Sequence, residues 1–180
     1  TMVPIEYEGA EGKIKINLLD TPGYFDFVGE VEEAVSAADA AIIVVNCKAG
    51  IEVGTEKAWD LCEEYKLPRI IFVTNMDDDH ASFRELILKL EKKFGRKIAP
   101  FQVPIRENEK FVGFVNAVKM QGRRFTNLSD YEDCEIPEYT KKNLGIIRDA
   151  LIEAVAETSE EYMERYFSGE EFTQDEIYTA

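Results

Sequence analysis

Three short runs rich in β-branched residues, at 13–19, 41–46 and 69–73, mark the first half of the 180-residue chain. Patterns of helical period separate them. Short apolar strands alternating with amphipathic helices form βαβ units, so the expected fold class is α/β with a partly parallel sheet and flanking helices. The first run leads straight into Asp20-Thr21-Pro22-Gly23 and the third into Thr74-Asn75-Met76-Asp77. Open α/β sheets bind ligands beyond the carboxyl ends of their strands. An Asp there can hold Mg²⁺ through water, and a Gly N–H can come close to a terminal phosphate. The plainer alternative for each tetrapeptide is a turn that ends a strand.

The segment from Ile16 to Val31, through Asp20-Thr21-Pro22-Gly23-Tyr24-Phe25-Asp26, resembles the switch II segment of translational GTPases. Leu67-Pro68-Arg69-Ile70-Ile71-Phe72-Val73-Thr74-Asn75-Met76-Asp77 resembles their guanine-reading segment. The likeness is to the elongation factor G type, because it continues downstream. Phe101-Gln102-Val103-Pro104-Ile105, the run 111–120, and Glu160-Glu161-Tyr162-Met163-Glu164-Arg165-Tyr166 are similar to the insert within that family's G domain.

The resemblance implies a P-loop-GTPase-like α/β sheet with an α+β insert subdomain, divided as a partial G domain at 1–95 and an insert at 96–180. The G-x-x-x-x-G-K-[ST] phosphate loop is lacking. By analogy it would precede Thr1, so the chain reads as a fragment. The intact protein would bind GTP or GDP with Mg²⁺, hydrolyse GTP on the ribosome and drive translocation. Ribosome-protection and release-factor GTPases, or a non-enzymatic module that docks a ribosomal protein, are the alternatives. The fragment alone is expected to be inactive, monomeric and cytoplasmic, with no membrane or direct DNA partner and a possible stalk-protein contact through the insert.

Residue by residue, the resemblance assigns Asp20 to Mg²⁺ through water. It assigns Gly23 to the terminal phosphate, Thr21 and Pro22 to cofactor binding beside it, and Thr74, Asn75 and Asp77 to the base. A carboxylate at Asp77 would accept two parallel N–H bonds from guanine and reject adenine; a helix N-cap is its structural alternative. Two departures stand out. Tyr24 replaces the family's water-positioning His, and a phenol can bond water but lacks imidazole geometry. Tyr24 would position water, or simply pack on Phe25 or Phe27. The family's Asn-Lys-x-Asp reads Thr74-Asn75-Met76-Asp77, which shortens the reach of the first residue and removes the long Lys stem. Asp78 and Asp79 are expected to be solvated.

Elsewhere the pattern predicts a helix over 26–38, a loop 51–53 flanked by Gly50 and Gly54, and a helix capped by Thr55 that buries Ala58, Trp59, Leu61 and Cys62. A capping box of Ser82 and Glu85 opens a helix that buries Leu86, Ile87 and Leu90 and stops at Gly95. Strands 99–105 and 111–119 form a hairpin about the polar turn 106–110. A polar loop covers 120–137, and one long amphipathic helix runs from 138 to Ser168-Gly169. A last capping box, Thr173 with Glu176, opens a helix at the end of the chain.

Lys plus Arg number 21 against 36 Asp plus Glu, a formal charge of −15. Such a surface is no general nucleic-acid binder, because phosphate contacts need cations. Cys47, Cys62 and Cys134 are odd in number and lack a C-x-x-C, which argues against a disulfide framework. No apolar run reaches about 18 residues, so no span is expected. His80, the only histidine, has no partners for catalysis in the sequence.

Overall fold

A computed structural model describes residues 1–9, 12–78, 80–108, 110–127 and 130–180, and all but the side chains of Phe25, Arg96 and Lys142 among these. The expectation for Asp79, part of the 106–110 turn at Glu109, packing against Phe25 and any role for the Lys142 side chain lie outside them. The chain divides into two compact units, Thr1–Thr74 and Asn75–Ala180.

In the first unit, β1 (Met2–Gly9) and β2 (Gly12–Leu19) form an antiparallel ladder from Met2↔Leu19 to Gly9↔Gly12. Every residue of β2 is exposed, so its polar/apolar alternation does not mark a covered face within this chain. A short 3₁₀ turn at Phe25–Phe27 leads into α1 (Val28–Ala37). β3 (Ala41–Asn46) and β4 (Arg69–Thr74) pair in parallel, Ala41 with Arg69 through Asn46 with Thr74. One face carries Ile43 and Val45, both buried. The other carries Ile42, Val44, Ile70 and Phe72, all exposed.

Between these strands runs α2 (Val53–Glu64), which buries Thr55, Trp59 and Cys62. Thr55 is not its N-cap. Glu52 caps the helix, Thr55 is the third residue and reciprocates the capping box, and Gly54 lies in the first turn rather than a loop. A reversed box satisfies the same orphan N–H groups, so the sequence signal was real but its roles were exchanged. Arg69 stacks over Trp59 at 3.9 Å and pairs with Glu63, tying β4 to α2.

The second unit opens with α3 (Phe83–Phe94). Ser82 accepts from the Glu85 N–H, and Gly95 ends the helix at φ 77. β5 (Gln102–Glu107), β6 (Lys110–Asn116), β7 (Gln121–Phe125) and β8 (Tyr131–Cys134) follow as one antiparallel meander. The expected loop over 120–137 is thus two strands. These strands lack apolar alternation because one is an edge and the other is held by polar pairs. Gln121 donates to Asp133 at 2.8 Å, and the Arg124 guanidinium grips both oxygens of Glu107. The far face of this sheet carries Phe114 against Phe125 and Tyr131.

The expected long helix is two. α4 (Glu138–Ala156) ends where the Thr158 hydroxyl donates to the Val155 carbonyl at 2.7 Å. α5 (Glu160–Ser168) starts where Ser159 accepts from the Tyr162 N–H. Ser and Thr offer the backbone these local bonds in place of a continued helix. Leu144 packs with Val103, Ile105, Val115 and Ala117 in one core. One turn past Arg148, Leu151, Val155 and Ala156 pack with Val118, Phe172 and Ile177 in another. α6 (Gln174–Thr179) carries the expected Thr173–Glu176 box.

Candidate functional site

Asp20 follows β2 directly. Its N–H donates to the Thr1 carbonyl at 2.7 Å, which extends the ladder by one bond and anchors the backbone. The carboxylate is exposed and has no protein partner among the described residues. Thr21 and Pro22 are half-buried, and Gly23 is exposed with open space where a Cβ would lie. Tyr24 precedes the 3₁₀ turn and is 79% exposed. Its ring lies open to solvent rather than buried among apolar neighbours.

The parallel pair brings the ends of β3 and β4 together, with Asn46 opposite Thr74. Thr74 Oγ1 donates to the Val45 carbonyl at 3.4 Å, and the Cys47 N–H donates to the Thr74 carbonyl at 2.9 Å. Asn46 Oδ1 accepts from the N–H groups of Lys48 and Ala49, an Asx turn that steers the chain away from the strand tip. Sequence reading did not single out Asn46; a polar residue ending an apolar run was the available signal.

Asp77 lies in the second unit, Asp20 in the first. Asn75 adopts the left-handed conformation at φ 54, and the Asp78 N–H closes a turn onto its carbonyl. Met76 buries its side chain. Asp77 is exposed, and its carboxylate has no protein partner among the described residues. It is not a helix cap, because Ser82 fills that place. Asp78 does not simply face solvent: its Oδ1 accepts from the His80 N–H at 2.9 Å. The Met76 carbonyl accepts from the Arg106 guanidinium of β5. Arg106 appeared in the sequence only as part of a polar turn, and nothing in its spacing pointed to the Met76 loop.

Among the described residues no three His, Cys, Asp or Glu gather as a metal cage. None of the helices described is long and apolar enough to cross a membrane.

A mixed α/β chain with a parallel strand pair and flanking helices is the architecture of a GTPase domain. The family model for the elongation factor Tu GTP binding domain matches residues 2–169, and the chain belongs to that family. It is 37% identical over 163 residues to an elongation factor G-like protein of Thermotoga maritima, covering 91% of this chain and 23% of that one. It is 38% identical over 165 residues to elongation factor G of Thermotoga neapolitana, covering 91% and 24%. A crystal structure from Thermus thermophilus superposes with a TM-score of 0.87 at 34% identity, covering 99% of this chain and 26% of that one. The chain thus spans about a quarter of the length of these relatives.

Proposed function

We propose that the chain is part of a longer elongation-factor-G-like GTPase that binds GTP with Mg²⁺ and hydrolyses it on the ribosome in the course of translocation. Family membership supports the GTPase class. Within each unit one observation supports a ligand role: the Asp20 carboxylate after β2, and separately the Asp77 carboxylate in the turn after β4, is exposed and has no protein partner among the described residues. An unpaired carboxylate on an anchored backbone suits a ligand, and a hard oxygen donor suits Mg²⁺, which keeps several waters of its own.

Bound Mg²⁺ would neutralise charge on the phosphates. Asp20 would hold that ion through one of its waters. Gly23, with open space where a Cβ would lie, offers its N–H to the terminal phosphate, and loss of that contact frees the segment that follows it. Asp77 accepts the paired N–H bonds of guanine, while Thr74 and Asn75 flank the base with less reach than the family's residues. Tyr24, open to solvent, hydrogen-bonds the attacking water. Residues 1–95 form the G-domain part and 96–180 the insert, which contacts the ribosomal stalk. The setting is the cytoplasm, and the 180-residue chain alone turns over no GTP.

Asp77→Asn in the longer protein tests the reading. Each charge-assisted bond contributes about 1.5–3 kcal/mol, so GDP should bind at least about tenfold more weakly. Xanthosine diphosphate, whose ring carries a carbonyl in place of the amino group, should bind more tightly in compensation. Equal GDP affinity of variant and parent would remove Asp77 as the base reader.

A further inference from the structure

The loop that carries Asp77 is held from outside by the hairpin. The ladder between β5 and β6 shifts register between Ile105 and Arg106, so that Ile105 faces Gly113 but Arg106 faces Phe111. The extra residue, Val112, lies in β6, and the kink it introduces falls opposite Arg106. The Arg106 side chain reaches the Met76 carbonyl. The Arg106 backbone is fixed in turn by Tyr139 at the start of α4. The Arg106 N–H donates to Tyr139 Oη at 3.2 Å, and that hydroxyl donates to the Arg106 carbonyl at 2.6 Å. One phenol thus satisfies both backbone groups of Arg106, the residue that faces the bulge.

The Met76 carbonyl belongs to the peptide plane that ends at the Asp77 Cα. That plane is rigid, so a cation on its oxygen fixes the N–Cα bond that carries the Asp77 side chain and leaves only rotation about that bond to aim it. The Met76 side chain is buried below it, and the Asn75–Asp78 turn closes it on the other side. A charge-assisted bond to a loop carbonyl is among the stronger restraints a surface loop can have. We infer that Arg106, braced by Tyr139, is a positioning residue that aims Asp77 at the guanine edge. This rests on the proposed role of Asp77. It also makes the fidelity of base reading depend on the hairpin of the insert.

The test uses the longer protein and two probes, GDP and inosine diphosphate. The latter lacks the exocyclic amino group, so the ratio of the two affinities reports how well Asp77 is aimed. Arg106→Ala should reduce that ratio about tenfold, Arg106→Lys should restore part of it, and Tyr139→Phe should reduce it by a smaller factor. A residue that only stabilised the fold would weaken both nucleotides alike, so an unchanged ratio in Arg106→Ala overturns the inference. If that variant does not fold, Tyr139→Phe carries the same readout with the same two outcomes. Asp77→Asn serves as reference. If it too leaves the ratio unchanged, the base-reading assignment has failed. If it alone changes the ratio, only the positioning role has failed.

Discussion

Gly113 and Gly145 should answer the same substitution with opposite signs. A Cβ built on Gly113 in β6 would lie 2.1 Å from the Arg123 carbonyl oxygen and 2.9 Å from the Arg124 Cα of β7. Both obstacles are backbone and cannot rotate away. β7 would have to withdraw until contacts of 2.1 Å exceed 3.0 Å, opening the ladder at Gly113↔Arg124 and Phe114↔Arg123. Forced overpacking of this kind costs about 1–3 kcal/mol, and a backbone obstacle puts Gly113→Ala near the top of that range. Gly145 lies mid-way along α4 on an exposed turn, with nothing within 4 Å of its Cβ position. There Ala gains about 1 kcal/mol of helix propensity over Gly. The two variants should differ by about 3–4 kcal/mol, or about 1.5–2 M in urea midpoint at a slope of roughly 2 kcal/mol/M. Urea titration of the 180-residue chain, followed by circular dichroism, measures it. A Gly113→Ala midpoint at or above that of the parent chain would refute the close approach of β6 and β7.

Two further outcomes follow from charge and burial. The Arg165 guanidinium, with help from Thr173, holds the Glu176 carboxyl down at about 2 from its ordinary 4.5. Because the folded value lies below the unfolded one, its stabilising contribution is complete above pH 4.5 and fades as pH falls toward 2. An NMR titration of Glu176 should therefore show a depressed midpoint that rises toward the ordinary value in Arg165→Met; an ordinary midpoint with Arg165 present would dissolve the α5–α6 clamp. Burial pushes the Cys62 thiol up, against a smaller lowering by Arg69. A thiol reagent on the native chain should modify the half-buried Cys134 first and leave Cys62 intact until urea unfolds the chain. Equal labelling rates would contradict the packing of α2.

How much of this was legible depended on where apolar pattern and backbone geometry agree. β3 and β4 were readable because Ile43 and Val45 alternate with Ile42 and Val44 within β-branched runs. α3 was readable from its Ser82 cap, its Leu86 and Leu90 spacing and its Gly95 stop. β7 and β8 were not, because Gln121, Arg123, Arg124 and Asp133 are held by polar pairs rather than by a core. The break at 157–159 was hidden because the apolar period continues across it, while two hydroxyls redirect the backbone. At the candidate site the strand-end acids were visible in the motifs. Arg106 was not, since its contact with Met76 spans 30 residues and depends on a bulge that no periodicity encodes.

The same contrast bears on the departure at Asn75. The backbone there is left-handed, at φ 54. For a side chain with a Cβ that region costs about 1–2 kcal/mol, and Asn is the non-glycine residue that tolerates it best through local hydrogen bonding. An Asn at this position is therefore suited to the turn that the Asp78 N–H closes on its carbonyl, whatever it loses in reach over a base. The loop's shape is then set by three independent restraints: a residue that accepts the turn, a buried Met76 side chain, and a cation on the Met76 carbonyl. None of these involves the Asp77 carboxylate, which leaves that group free of protein partners among the described residues and open to a ligand. A loop ordered by its neighbours rather than by its own acid is what base reading needs, because an acid engaged in holding the loop could not also accept two bonds from a nucleotide.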